Sequence, residues 1–482
     1  MGRIKRVALG IAISLCSSGL FASNLLEIVE KAEKHDPDFQ AAKHKYSSES
    51  EVYKQARARL MPTLSYQYRT KETDQTIVEA DNTVFATGSE TFKTVSTALT
   101  LNQPLFDWQI WSRFRQSKAT VSRAEAEYRL AENELLLRVS EAYFLVLEMS
   151  DQLATAKDET QALQRHALLA ARRKAAGLGR AVDVDTADAR YLEAVAKEVE
   201  YESRLRDSRH ALAALIGEFP EDLLRLSEAM VYQPAEPADV QEWVNLAKES
   251  SPKIMAREYA VEEAKQEINA RRSGHYPTAQ LTITDGSEDQ EGSLFGGGSV
   301  VDTGEIVLSL NVPLFEGLYN SSRVRQAHQD HYRVLDELHS EQRQNEREVR
   351  DAFHRIYASV VQIDALRRSV EAQQRMLNLK TSGYQSGRYN ILEVLDAQKD
   401  ASNVQRAYTK SRYDYVLNTL RLKYTAGVIT MDDVGRVNSW LISDEPVAEP
   451  QSEAAPSQAE PETAPPPDEP TDNSPAPDGS AA

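Results

Sequence analysis

Apolar residues recur at helical spacing along most of the chain. No proline intervenes between Pro104 and Pro220 or between Pro313 and Pro446, and these stretches are rich in Ala, Glu, Arg, Leu and Gln. Apolar residues three and four positions apart predict helices with one apolar stripe each. At about 1.5 Å per residue, the stretch from Leu105 to Gly177 would form a rod about 100 Å long. Long polar helices with single stripes favour a helical wall over a compact core.

Glycine breaks interrupt both helical stretches. The first includes Gly177 and the second includes Gly387, and helical spacing resumes after each. Because glycine lets a chain reverse its direction, the breaks predict two antiparallel helical hairpins. The return helices are expected near Ala181 to Ile216 and near Ile391 to Ala426.

Shorter segments alternate apolar and polar residues with a period of two. They lie at 64–69, 95–101, 281–283 and 306–312. This alternation predicts four strands, each with one apolar face. The strands form two pairs, at about 63–102 and about 278–312. The connections within the pairs, from Lys71 to Glu90 and from Asp285 to Asp302, are expected to be loops.

Matching landmarks indicate that the chain is an internal duplication. Pro104 and Pro313 lie 209 residues apart and open the same tripeptide, inside the segments LNQPLF and LNVPLF, and the two glycine breaks lie 210 residues apart. A fixed period of this kind is the signature of repeated units. The sequence therefore predicts repeat 1 over residues 23–232 and repeat 2 over residues 233–443.

The two repeats are predicted to contain the same elements in the same order. A helix comes first, a strand pair follows, and a long helical hairpin ends the unit. The hairpins are expected at about 105–217 in repeat 1 and about 316–427 in repeat 2.

The ends of the chain differ from the repeats. Residues 1–22 have a basic start, a short apolar core and small residues near the end, as a secretory signal peptide does. The single cysteine, Cys16, lies inside this segment, so a lipid anchor is the alternative. Residues 444–482 form an acidic tail rich in Pro, Ala and Glu, with ten acidic residues and no Lys or Arg. This composition is typical of disorder.

Charge and motifs argue against several classes of function. A net charge of −18 disfavours nucleic acid as a partner. No P-loop, nucleophile elbow or dinucleotide fingerprint is found. His328 and His331 form an i, i+3 pair that could suggest a metal site, but no carboxylate or thiol set completes it. The sequence therefore predicts neither an enzyme, a cofactor nor a metal site.

The strands and the export signal together suggest a membrane channel. A strand of an outer-membrane barrel needs only about 9 to 11 residues with one apolar face. Four strands cannot close into a barrel, and an open sheet edge is not tolerated in lipid, so copies must assemble. Two copies would give eight strands whose side chains fill the interior, and three would give twelve with a lumen. A soluble periplasmic coiled-coil scaffold is the alternative.

The duplicated LNQPLF and LNVPLF segments, the paired prolines Pro62 and Pro277, and the segment GYQSGRYNILEVLDAQ at 383–398 resemble the TolC family of outer-membrane channel-tunnels. The resemblance covers residues 24 to about 440. It implies a homotrimer in which a twelve-stranded transmembrane β-barrel, with four strands from each chain, continues as a twelve-helix periplasmic α-barrel.

Family membership also implies a function and partners. Such proteins are exit ducts, recruited by an inner-membrane ABC or RND translocase through a periplasmic adaptor. The cargo is a type I secreted protein, a small toxic molecule, or both, and multidrug efflux alone is the alternative.

The resemblance further assigns roles to residues near the hairpin tips. Glu393 and Asp396 match an acidic ring at the periplasmic entrance, and such a ring attracts cations. Tyr384 and Asp183 match a polar network that holds the closed state. The family's basic member of that network falls at a tyrosine here, and Arg388 is one residue earlier.

The turns themselves are the remaining candidate site. Gly177, Leu178 and Gly387 match the hairpin tips that meet the adaptor. The glycines also have a purely structural role, since they allow the chain to reverse.

Overall fold

The structure, a computed structural model, describes residues 23–79, 88–220, 222–293 and 296–442 of the 482-residue chain. The expected signal peptide at 1–22, with Cys16, and the expected acidic tail at 444–482 lie outside the described residues. The described part has the expected mixed α and β architecture. It contains a four-stranded sheet, two long helical hairpins and a belt of shorter elements.

The strands form one large and one small antiparallel sheet. They are β1 (Thr63–Ile77), β2 (Gly88–Phe106), β3 (Arg225–Leu226), β4 (Thr278–Ser293), β5 (Gly296–Asn311) and β6 (Leu441–Ile442). The large sheet has the order β1-β2-β4-β5, and β3 pairs with β6. Among the described residues, β1 and β5 are therefore the edges of the large sheet.

Two neighbouring rungs of the large sheet show how its faces differ. The residues of one rung are partners across the sheet and are all apolar: Leu64, Leu101, Ile283 and Ile306. The next rung lies on the opposite face and is polar: Ser65, Thr100, Thr284 and Glu305. Leu64 and Ile306 are 65% and 76% exposed in a single chain. One face of the sheet is thus apolar and uncovered within the chain.

The strands are longer than the sequence predicts. The described parts of the segments from Lys71 to Glu90 and from Asp285 to Asp302 are mostly strand, so the expectation of loops there is wrong. The apolar alternation stops in these segments, but the backbone pairing continues. Polar cross-strand pairs such as Glu72 with Lys93 take the place of apolar ones.

One helix of each half is long enough to form a predicted rod. The described helices are α1 (Leu25–His35), α2 (Pro37–Ala58), α3 (Trp108–Ala175), α4 (Ala181–Ile216), α5 (Val240–Ser250), α6 (Pro252–Arg272), α7 (Tyr319–Gln385), α8 (Ile391–Thr425) and α9 (Met431–Asn438). With 68 and 67 residues, α3 and α7 are each about 100 Å long at about 1.5 Å per residue. The return helices α4 and α8 start where the sequence predicts. None of the described helices has an apolar stretch long enough to cross a membrane.

Polar side chains satisfy free backbone N–H groups where several helices begin. Asp36 accepts a hydrogen bond from the Phe39 N–H (3.1 Å) at the start of α2. Asp107 does the same for the Ile110 N–H (3.1 Å) at the start of α3. These caps explain why the helices begin beside the breaks in the apolar pattern.

A core belt packs around the middle of the long helices. It consists of α1, α5, α9 and the β3–β6 pair, packed against α3 and α8. Tyr143 and Phe144 of α3 are fully buried there, and the Tyr143 hydroxyl donates to the Leu224 carbonyl (3.0 Å). The buried Arg412 of α8 donates to the Ser227 carbonyl (2.8 Å). The belt therefore ties the connection between the two halves to both long hairpins.

Both ends of the described chain meet at a seam in this belt, formed by residues 222–226. The Ser23 N–H donates to the Asp222 carbonyl (2.7 Å), and β6 pairs with β3. The Leu25 N–H donates to Asn438 Oδ1 (2.9 Å), joining residues 413 positions apart. The seam holds the beginning and the end of the described chain side by side.

We expect Gly427→Ala to destabilise the belt by about 2 to 4 kcal/mol. Gly427 has a φ of +75°, and a Cβ there would lie 2.5 Å from the Ser251 Cα. Thermal unfolding of the solubilised protein, followed by circular dichroism, measures the loss. Gly435→Ala is the matched control, because nothing lies within 4 Å of a Cβ at Gly435. Equal unfolding midpoints for the two variants would contradict this account.

Candidate gate at the hairpin tips

The two long hairpins reverse through turns of the same geometry. Gly177 lies between α3 and α4 with a φ of +75°, and Gly387 lies between α7 and α8 with a φ of +80°. The Leu178 N–H donates to the Arg173 carbonyl, and the Arg388 N–H donates to the Gly383 carbonyl, both at 2.8 Å. This left-handed ending favours glycine because other residues are strained there.

The residues that face each other across the two turns differ in a complementary way. In the second turn, the Tyr389 ring lies against Gly383, where a Cβ would approach it to 2.2 Å. In the first turn the large residue is Arg173, and the glycine is Gly179, where a Cβ would lie 3.3 Å from the Arg173 Cβ. Each turn thus pairs one large residue with one glycine, in opposite order.

Arg173 connects the first hairpin to the second. Its guanidinium lies 4.8 Å from the centroid of the Tyr384 ring. The same group donates to the Tyr384 carbonyl (3.0 Å) and the Gln385 carbonyl (3.4 Å) at the end of α7. Burial raises the pKa of the Tyr384 phenol, the positive charge of Arg173 opposes that shift, and the negative charge of Asp183 adds to it. These three residues therefore share one electrostatic environment.

Sequence reasoning missed Arg173. It lies four residues before Gly177, and the only local signal is a basic last turn in α3, which is common because cations stabilise helix C-termini. Arg388 was expected to provide the positive charge. Within the described chain its guanidinium is exposed and donates locally to Ser386 Oγ (3.3 Å). A single chain therefore brings Tyr384 together with Arg173, and not with Arg388.

Asp183 and Glu393 occupy the same position in the first turns of α4 and α8. Asp183 accepts from the Arg180 N–H (3.2 Å) and from the Arg180 guanidinium (2.9 Å). The hydrogen bond from that guanidinium holds the pKa of the Asp183 carboxyl below its usual range. Glu393 forms a capping box with Asn390, whose side chain accepts from the Glu393 N–H (2.9 Å). The spacing Asn-x-x-Glu is the sequence signal for this cap.

Asp396 lies one turn further along α8 and has a cationic neighbour. Its side chain is 52% exposed, and Arg190 Nη2 of α4 lies 3.8 Å from Asp396 Oδ1. Arg190 also forms an ion pair with Glu193 at 3.1 Å. Hydrogen bonds from Arg190 and Lys197 lower the pKa of the Glu193 carboxyl. The two residues expected to form the acidic ring thus differ in their surroundings within one chain.

An apolar tip cluster holds these groups in place. Its buried members are Leu163, Ala167 and Ala170 of α3, Ala187 and Ala194 of α4, Tyr384 of α7, and Ile391, Val394 and Leu395 of α8. The first turns of α8 therefore bury one face against the other hairpin. Glu393 and Asp396 lie on the opposite face.

The turns also expose apolar side chains. Leu178, a predicted site residue, is 72% exposed. Val182 and Leu392, second residues of α4 and α8, are 57% and 46% exposed. The sequence analysis did not single out these two residues, although they occupy matching positions. Like Leu178, they are exposed apolar side chains beside the turns.

Comparison with known proteins assigns the family. The model of the family described as "Outer membrane efflux protein" matches residues 28–218 and 243–428. The alkaline protease secretion protein AprF of Pseudomonas aeruginosa is 28% identical over 459 residues, covering 92% of this chain and 93% of AprF. The outer membrane protein TolC of Escherichia coli is 25% identical over 469 residues, covering 95% and 92%.

The fold agrees with solved channels as well. The CmeC outer membrane channel of Campylobacter jejuni superposes with a TM-score of 0.74 at 15% identity, covering 87% of this chain and 90% of that one. The chain belongs to the outer membrane efflux protein family and has the fold of its channel-tunnels. It is an outer-membrane exit duct, in a family of channels and not of enzymes.

We expect Arg173→Gln to loosen the contact between the hairpins by about 1 to 2 kcal/mol, because it removes the cation–π contact and the hydrogen bonds to two carbonyls. Hydrogen–deuterium exchange should become faster at the end of α7 and the start of α8. Arg206→Gln is the control, since Arg206 pairs with Glu202 on its own helix. Equal exchange in both variants would show that Arg173 does not hold the tips together.

Proposed function

We propose that three copies of the chain close into a single duct. The supporting observation is the large sheet, whose apolar face is uncovered and whose edge strands β1 and β5 are unpaired within the described chain. In lipid, unpaired backbone groups at an edge cost several kcal/mol each. Since β1 and β5 run in opposite directions, β5 of one copy can pair antiparallel with β1 of the next.

The number of copies follows from the size of the lumen. Two copies would give eight strands, whose interior side chains would fill the barrel. Three copies give a twelve-stranded barrel that leaves a passage. The same three copies place twelve long helical segments around the periplasmic axis, four from each chain.

Exposed apolar residues on the long helices support this assembly. Leu192 and Val199 of α4 stand seven residues apart and are 63% and 61% exposed. Tyr357 and Val361 of α7 stand four apart and are 63% and 56% exposed. Apolar stripes with such spacing suit packing against a neighbouring helix, and in the proposed trimer adjacent copies cover them.

The proposed entrance lies at the hairpin tips. In a trimer, Glu393 and Asp396 would contribute six carboxylates to one ring, which attracts cations and repels anions. Tyr384 and Asp183 would belong to the network that holds the ring closed, with Arg173 as an additional member. Arg388, exposed in a single chain, would form links to a neighbouring copy.

Opening would separate the ring. We infer that the coil formed by α7 and α8 swings outward when an adaptor engages the tips, and that the energy comes from the translocase. The contacts of Arg173 and Arg190 with the second hairpin are the ones this movement would break.

The proposed partners are a periplasmic adaptor and an inner-membrane ABC or RND translocase. The adaptor would meet the tips at Gly177, Leu178 and Gly387. The proposed cargo is a secreted protein, a small toxic molecule, or both, and the name of AprF, an alkaline protease secretion protein, favours protein cargo. Multidrug efflux alone is the second candidate, and the family description "Outer membrane efflux protein" is consistent with it.

We expect the purified oligomer to conduct ions in a planar bilayer with a preference for cations, because acidic side chains line the proposed constriction. The double variant Glu393→Ala with Asp396→Ala should lose most of that preference. Asp364→Ala with Glu371→Ala is the matched control, as both acids lie on α7 and pair with arginines of the same helix.

Two results would contradict different parts of this proposal, the position of the constriction and the number of copies. Cation preference that persists in the double variant would place the constriction elsewhere. A native mass of the oligomer other than three chains would refute the proposed stoichiometry.

We expect Leu178→Asp to abolish export in cells that carry an adaptor and translocase able to work with the wild-type duct. A carboxylate at the exposed tip would have to lose its water on contact with an apolar partner. Secreted cargo in the medium is the readout. Leu168→Asp is the control, because Leu168 is 55% exposed but lies on α3 away from the turn. Export unaffected by Leu178→Asp would remove the tip from the docking surface.

A further inference from the structure

We propose that Arg190 is a selectivity-determining residue of the entrance. It offsets part of the charge of Asp396 in the closed arrangement and releases that charge when α8 moves away from α4. The inference rests on the proposed acidic ring and adds to it a counter-charge supplied by the first hairpin.

The geometry places Arg190 between two acids. One guanidinium nitrogen lies 3.1 Å from Glu193 on its own helix, and another lies 3.8 Å from Asp396 on α8. Glu193 fixes the arginine from the α4 side, so that its second nitrogen faces the other hairpin. The arginine side chain is 34% exposed and that of Asp396 is 52% exposed.

The Arg190–Asp396 ion pair connects α4 with α8, which none of the other described ion pairs does. The other described ion pairs between the first hairpin and α8 start from α3, at Glu159, Glu148 and Glu141. Arg190–Asp396 is the described pair that joins α4 to α8. It lies beside the tip cluster, where α4 and α8 are packed together.

The two ring residues therefore carry different effective charges. The described polar partner of Glu393 is Asn390, which is neutral, so its charge is not compensated. The charge of Asp396 is offset by Arg190. In a narrow ring a small difference in fixed charge changes the local ion concentrations, because the walls focus the field.

Opening of the duct would change the charge of the ring. While α8 lies against α4, Glu393 provides most of the cation attraction. Once the second hairpin moves outward, Asp396 leaves Arg190 and adds its charge to the ring. Opening then adds negative charge to the ring at the same time as it widens the passage.

The test is the reversal potential of the trimer in a planar bilayer under a KCl gradient. We expect Arg190→Gln to raise the K⁺/Cl⁻ permeability ratio about two- to threefold, the effect of exposing one carboxylate in each chain. Arg190→Lys, which keeps the positive charge, should restore a ratio near that of the wild type. Arg190→Gln combined with Asp396→Asn should return the ratio to the wild-type range.

Controls separate this role from a structural one. Arg206→Gln removes a guanidinium from the same helix, where its partner is Glu202, and should leave the ratio unchanged. A general loosening of the tips would change conductance without following the charge at position 190, so Arg190→Lys and Arg190→Gln would then behave alike. That result would overturn the proposal.

The failure of this inference is distinguishable from that of the ring. If Glu393→Ala with Asp396→Ala lowers the ratio but Arg190→Gln leaves it unchanged, the ring stands and Arg190 has no role in selectivity. If neither variant changes the ratio, both the ring and the role of Arg190 are wrong. A wild-type oligomer that conducts no ions would overturn the proposed duct and this inference together.

Discussion

Backbone hydrogen bonding at the edges of the large sheet is the constraint on which the rest of the structure depends. The strands β1 and β5 have no partners within the described chain, and the rung of Leu64, Leu101, Ile283 and Ile306 leaves an apolar face uncovered. In water, an unpaired edge and an exposed apolar face favour aggregation, and an open edge is not tolerated in lipid. In the proposed trimer, the sheets of neighbouring copies complete one another. In the same proposed assembly, the long hairpins would continue the lumen from the membrane through the periplasm.

Much of the fold could be predicted because it depends on local patterns. The proline-free stretches and their apolar spacing predicted the rods, and the glycine breaks predicted the starts of α4 and α8 at Ala181 and Ile391. The strand residues within 71–90 and 285–302 were not predicted, because they pair through polar residues. Alternation of apolar and polar residues was the only signal used to predict a strand. Backbone pairing continues where that signal ends, so the predicted loops were wrong.

The candidate site shows the same limit, because local motifs could be predicted and contacts between the hairpins could not. Glu393 could be placed by its motif, and its capping box is readable from Asn390 three residues earlier. Arg173 and Arg190 could not be found, because their contacts with Tyr384 and Asp396 join different hairpins and have no counterpart in local sequence. In both cases the first hairpin supplies the arginine and the second supplies its partner. The proposed duplication thus conserves the shape of the turns while the two copies take complementary chemical roles.

The seam has a consequence for how the protein reaches its folded state. The Leu25 N–H at the start of α1 donates to Asn438, and β6 at the end of the described chain pairs with β3. Contacts across more than 400 positions form late, since a long loop must close before they can stabilise anything. The core belt therefore cannot be completed until the residues of α9 and β6 have been synthesised. Until then, the start of α1 and β3 lack these partners. A belt that stays incomplete during synthesis favours export, since an incompletely folded chain is more easily threaded through a narrow translocation pore.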